Sequence, residues 1–158
     1  MTGTSMHNVI VACVDGSKGG YAALVEAAEL SKRFRAELIA LSVEEGLPRY
    51  AATMGEVDEF KEEKDHYFEE VGRVAARIAG EHGWRLRHEV RLGHAADVIV
   101  RFLEETGADL VVLGYKGHSR IARFVIGNTA QKVNAYSKAS VLIVKPTPET
   151  EHLWHART

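Results

Sequence analysis

Three short runs constrain this chain more than anything else in it: Val9-Ile10-Val11-Ala12-Cys13-Val14, Leu110-Val111-Val112-Leu113 and Val141-Leu142-Ile143-Val144. Each is almost unbroken in apolar, mostly β-branched residues, the pattern of strands buried on both faces in a parallel sheet. Leu38 to Val43 is a fourth apolar run, and Leu86 to Val90 a fifth. The last alternates polar with apolar, which places it at a sheet edge. Parallel strands need long crossovers, and helical patterns fill the intervals.

Leu24, Ala27, Ala28 and Phe34 keep helical spacing behind Asp15 or Ser17 as N-cap. Phe60, Tyr67, Val71, Val74 and Ile78 form a second stripe that ends at Gly83, a C′ glycine. Ala95, Val98, Ile99, Phe102 and Leu103 form a third, closed by Gly107. A short fourth covers Asn128 to Tyr136, with Ala130, Val133 and, at its end, Tyr136 inward. The order β-α-β-α-β-α-β-α-β predicts an α/β fold: one open parallel five-stranded sheet flanked by helices, with right-handed crossovers.

At 158 residues this is one domain, because two halves of about 80 residues would be poorly buried. Residues 44–66 hold eight acids against three bases and read as a loop leading into a long acidic helix. Pro146 to Thr158 has two of the three prolines and no periodicity, so the domain is drawn at 1–146 and a tail at 147–158. The formal net charge of −2 excludes a nucleic-acid binder that relies on bulk positive charge. It leaves a local anion site open. No apolar run approaches the roughly 20 residues that span a bilayer, and Met1 to Asn8 is polar, so a soluble cytoplasmic protein is expected. The single cysteine, Cys13, excludes an internal disulfide and reads as a buried strand residue.

Ligands of open α/β sheets bind beyond the carboxyl ends of the strands, where the strand order reverses. Two loops qualify: Asp15-Gly16-Ser17-Lys18-Gly19-Gly20 after Val9 to Val14, and Gly114-Tyr115-Lys116-Gly117-His118 after Leu110 to Leu113. The second is continued by Gly127-Asn128-Thr129 at the start of the last helix. Spaced glycines bring backbone N–H groups close to a ligand, and a helix N-terminus favours an anion. Lys116, His118, Arg120 and Arg123 keep the neighbourhood positive. There is no Gly-Lys dipeptide of a Walker loop and no Gly-x-Gly-x-x-Gly.

Gly114-x-x-Gly117, nine residues, then Gly127 before a small polar residue resembles the Gly-x2-Gly-x9-Gly-Ser/Thr motif of nucleotide-binding universal stress proteins. The likeness extends over residues 6–146, through Ala108 to Leu113, Ser140 to Lys145, and Val9 to Ser17. It implies a Rossmann-like sheet in the order 3-2-1-4-5. By position, Asp15 would contact the nucleoside, Cys13 and Val14 line that edge by backbone, and Val43 meet the adenine. Leu113, Gly114, Lys116 and Gly117 would form the first half of the phosphate and ribose loop, and Gly127, Asn128, Thr129 and Ala130 the second. ATP is the implied cofactor, with magnesium on its phosphates, and a homodimer is implied through the Val141–Lys145 edge. Asn128 departs from the motif's Ser or Thr, His118 from the commoner Arg or Lys, and Gly93-His94-Ala95 from Gly-x-Pro.

Plainer readings stand beside these. Asp15 is also a candidate N-cap, Gly114 and Gly117 candidate turn glycines, and Lys116, Arg120 and Arg123 candidate solvated charges. His88 and His94 lack the His-Glu-x-x-His spacing, and His152 and His155 have no third ligand beside them, so no metal site is assigned. No catalytic residue is assigned either: His118 and Arg120 are the only nearby candidates for phosphoryl chemistry. Three functions follow: a nucleotide-binding regulatory module with a protein partner, which is the preferred reading; a slow ATP hydrolase or phosphotransferase; and an interaction module without nucleotide.

Overall fold

The computed structural model describes residues 6–46, 54–115, 127–145 and 147. The strands are β1 (Val9–Cys13), β2 (Glu37–Glu44), β3 (Arg87–Leu92), β4 (Leu110–Gly114) and β5 (Ser140–Val144). Between them run the helices α1 (Lys18–Phe34), α2 (Met54–Glu81), α3 (Ala95–Thr106) and α4 (Asn128–Tyr136). All strand pairs are parallel, in the order β3-β2-β1-β4-β5. The strand at the middle is the first in the chain. From β1 the chain works outward to β3, then returns through α3 to start again at β4, so the direction of winding reverses between β1 and β4.

Alternation along the strands sorts the core into two layers. Ile10, Ala12, Val14, Leu38, Ala40 and Val112 face α1 and α2. Val11, Ile39, Leu41, Val111 and Leu113 face α3 and α4. Both layers are apolar, which is why the central runs read as continuous rather than alternating. β3 pairs only with β2 and buries none of its side chains fully. It carries a charged ladder instead: Arg87 pairs with Glu37 at 3.3 Å, and Arg91 with Glu89 and Glu105, each at 3.3 Å. Such an edge resists pairing with a further strand.

Helix termini follow local chemistry. Gly83 lies at φ +75°, with its N–H on Gly80 O and that of Trp84 on Ala79 O, a Schellman ending for α2. Gly107 closes α3 in the left-handed region, as expected. Several expectations are corrected. β3 runs to Leu92, not Val90, because the end of β2 is there to pair with it. α2 begins at Met54, before the first residue of its expected stripe, Phe60, and is the long acidic helix expected after the loop. On α3, Ala96 is fully buried rather than Ala95. Tyr136 points outward at 75% exposure, since α4 is too short to carry its last residue over the sheet. No helix among the described residues is long and apolar enough to cross a membrane.

Candidate functional site

The carboxyl ends of β1 and β4 lie side by side at the point of reversal. Beyond β1, Asp15 opens a tight turn. Its Oδ1 accepts the Ser17 N–H at 2.9 Å and also the Ser17 hydroxyl proton. Ser17, extended at φ −79° and ψ 162°, is the N-cap of α1, its oxygen accepting the Gly20 N–H at 3.1 Å. Of the two candidate caps Ser17 therefore caps, and Asp15 braces it. Gly16 holds φ +85°, a conformation that glycine adopts without strain.

The β4 side comes to the same place. A Cβ on Gly114 would lie 2.6 Å from the backbone carbonyl of Gly19, so only a glycine lets α1 start this close to β4. Tyr115 then joins the two halves of the loop: its N–H donates to Val144 O at 2.8 Å, and its carbonyl accepts the Gly127 N–H at 3.2 Å. Gly127 is the N-cap of α4 and makes no side-chain cap. The first helical bond is Gln131 N–H to Gly127 O at 3.0 Å, so the N–H groups of Asn128, Thr129 and Ala130 precede the ladder. Gly127 itself has φ −58°, and among the described residues a Cβ there would meet only Tyr115 O, at 3.7 Å. Nothing among the described residues requires a glycine at this position.

The expected residues divide by what they expose. Asp15, Gly114, Gly127 and Thr129 are half-buried at this rim, and Asn128 is exposed. Cys13 and Val43 end neighbouring strands on the α3 side, both half-buried. Cys13 is thus less covered than expected, because it ends its strand. Burial and the Asp15 charge push its thiol up to about 12, so it stays protonated. Val14, Leu113 and Ala130 put their side chains into the core. Val14 also spends its N–H on Leu41 O at 2.9 Å and has its carbonyl occupied by Ser42 at 2.6 Å. Lys116 and Gly117, with His118, Arg120 and Arg123, lie outside the described residues, as do His152 and His155.

Two contacts at the site have no precedent in the sequence reading. Tyr67 of α2 donates its hydroxyl to the Asp15 carbonyl. His88 of β3 lies 2.9 Å, through Nε2, from the Ser42 hydroxyl oxygen. The available signals were a serine inside an apolar strand and a tyrosine on an inward helix stripe, each a polar group needing a partner. Among the described residues, no three His, Cys, Asp or Glu side chains gather as a metal site.

A profile described as the Universal stress protein family matches residues 6–145. This chain belongs to that family. Like a universal stress protein of Methanocaldococcus jannaschii, it is 30% identical over 148 residues, which cover 90% of this chain and 85% of that one. In three dimensions it is similar to a universal stress protein from Lactobacillus plantarum, with TM-score 0.78, 23% identity and coverage of 87% and 97%. A universal stress protein solved in complex with cAMP superposes with TM-score 0.72 and 24% identity, covering 90% of this chain and all (100%) of that one. One from Archaeoglobus fulgidus, in complex with dAMP, gives 0.60 and 20%, over 89% and 99%. The sheet order of this universal stress protein is the one its sequence resemblance implied.

Proposed function

We propose that this universal stress protein binds ATP at the β1–β4 crevice and acts as a regulatory module whose nucleotide state biases its assembly with partners. The observation that carries the reading is the convergence of two helix starts at the carboxyl ends of β1 and β4. α1 and α4 both begin at this rim, drawn together by Gly114 against Gly19 and by Tyr115 bonded to Gly127. Helix N-termini present N–H donors and the positive end of a dipole to an anion. The residues present suit a triphosphate: three early N–H groups of α4, with the Asn128 amide and Thr129 hydroxyl beside them. Lys116, which follows the described rim in sequence, adds a cation. A divalent ion would be carried by the phosphates themselves.

The nucleoside is assigned to the β1–β2 side. Asp15 is a carboxylate suited to accept from ribose hydroxyls, and Cys13 and Val43 give that edge an apolar surface for a base. Solved relatives complexed with cAMP and dAMP support an adenine nucleotide. Two experiments test the reading. The purified protein, denatured without added nucleotide, should release ATP in stoichiometric amount. Gly127→Asp should abolish ATP binding in calorimetry while leaving the fold intact, because among the described residues its Cβ meets nothing closer than 3.7 Å. Gly114→Ala should instead lower thermal stability. Unchanged ATP affinity in Gly127→Asp would remove the phosphate site from this crevice.

A further inference from the structure

Two consecutive carbonyls at the end of β1 are held by side chains from distant parts of the chain. The Ser42 hydroxyl donates to Val14 O at 2.6 Å, and the Tyr67 hydroxyl donates to Asp15 O. Ser42 is 1% exposed and has a single proton, which goes to Val14. In its 2.9 Å contact with His88 Nε2 the imidazole is therefore the donor, so His88 is the Nε2–H tautomer. Tyr67 lies where α2 meets the sheet. From Phe68 onward the helix buries an apolar stripe, whereas residues 54–66 have no buried position. The Tyr67 ring packs edge-on against Phe68 at 5.1 Å between centroids. A Cβ on Gly16 would fall on the Tyr67 hydroxyl, so that hydroxyl fills the space beneath the turn.

A peptide is planar, so a side chain bonded to its carbonyl fixes the orientation of the whole unit. Ser42 and Tyr67 fix the two planes on either side of the Asp15 Cα, and Ser17 fixes its carboxylate. We infer that Tyr67, together with Ser42, is a positioning residue for the nucleoside end of the site, and that it ties the seating of α2 to occupancy of that site. The inference rests on the reading of Asp15 as the nucleoside-contacting carboxylate. Tyr67 touches the main chain of Asp15 and acts through it. The tie is reciprocal by linkage: a helix whose seating favours the ligand is itself seated by the ligand to the same degree. The uncovered first half of α2 is then the element through which the state of the site reaches the surface.

The test uses the full chain, with ATP affinity measured for wild type, Tyr67→Phe, Asp15→Ala and the double variant. Tyr67→Phe keeps the ring and removes the hydrogen bond to the Asp15 carbonyl, so about a 5- to 10-fold loss of affinity is expected. In the Asp15→Ala background it should cost nothing further; equal losses in both backgrounds would mark a structural tyrosine and overturn the inference. Amide exchange gives a readout that needs no variant. ATP should slow exchange across residues 64–72 in wild type, and no ATP-induced protection there overturns the coupling. A wild type that binds no ATP defeats the site reading and the inference together. Weakening by Asp15→Ala with none by Tyr67→Phe defeats the inference alone.

Discussion

Asp15 has one observed role and one proposed role, and the two are separable. Its Oδ1 braces the N-cap through Ser17, a local Asx-type turn worth having in any protein that starts a helix here. Its place at the rim, beyond the end of β1 and beside that of β4, is what the nucleotide would read in the proposed function. Asp15→Ala should therefore weaken ATP binding by about 1–3 kcal/mol, the range for losing a hydrogen bond to a charged group. Ser17→Ala removes the cap and should cost about 1 kcal/mol of stability. Calorimetric titration beside a thermal melt separates the two; a loss of melting temperature in Asp15→Ala with unchanged affinity would assign the residue to the cap turn alone. Both candidates were visible in the sequence because a cap is local. Which of them capped was not, because that depends on the extended backbone at Ser17. Tyr67 was invisible as a site residue, since 52 positions separate it from the carbonyl it holds.

Among elements, α2 is docked by specific polar contacts as well as by its apolar stripe. At its carboxyl end Trp84 donates Nε1–H to Ala36 O at 3.0 Å, and His82 meets Glu29 of α1 at 2.9 Å. That His82 hydrogen bond is the main reason the Glu29 carboxyl sits below its ordinary range. In its middle, Gly72 lies against His88, with no room for a Cβ beside the ring. Burial pushes the His88 imidazole down, and Glu89, next along β3, only partly opposes this. Around the ring, β2 presents Ala40 and Ser42, both uncharged, while Glu69 and Arg73 flank Gly72 on α2 with exposed side chains. A depressed histidine binds fewer protons folded than unfolded, so its contribution is present above its ordinary value of 6.5 and is lost as pH falls through the folded value. His88→Gln, which keeps a donor for Ser42 and cannot titrate, should flatten the loss of melting temperature in the acidic interval below about pH 6.5. A variant that tracks wild type across that interval would show that His88 does not titrate with unfolding. Periodicity had announced α2 and β3, but their limits shifted: β3 runs to the carboxyl end of its partner β2, and α2 begins earlier because its first turns need no core.

The whole molecule has two unlike edges. β3 closes one side with its arginine and glutamate ladder. β5 closes the other with Val141, Leu142 and Ile143, all half-buried and uncharged, which leaves an apolar strand open to pairing. We propose a homodimer through this edge, as the family resemblance implies. Ser140 and Val144 bond toward β4, so by alternation the N–H groups of Val141 and Ile143 point outward. Light scattering should return twice the 17.4 kDa chain mass. Val141→Pro, which deletes an outward donor and no bond to β4, should shift the equilibrium to monomer. A monomeric wild type across a wide concentration range would leave the edge without its partner.

What the sequence determined by itself is the information carried by near neighbours: strand runs, helix stripes, the glycine spacing of the loop, and the choice of Gly83 and Gly107 as helix ends. These rest on backbone preferences and on which residues must leave water, and both are local in the chain. Only the tertiary structure decided which polar groups answer one another across the sheet. Ser42 meets the Val14 carbonyl, Tyr67 meets that of Asp15, and Gly114 is pressed to Gly19, because parallel crossovers bring together segments 28 to 95 residues apart. A buried donor must find an acceptor somewhere, and sequence spacing does not say where.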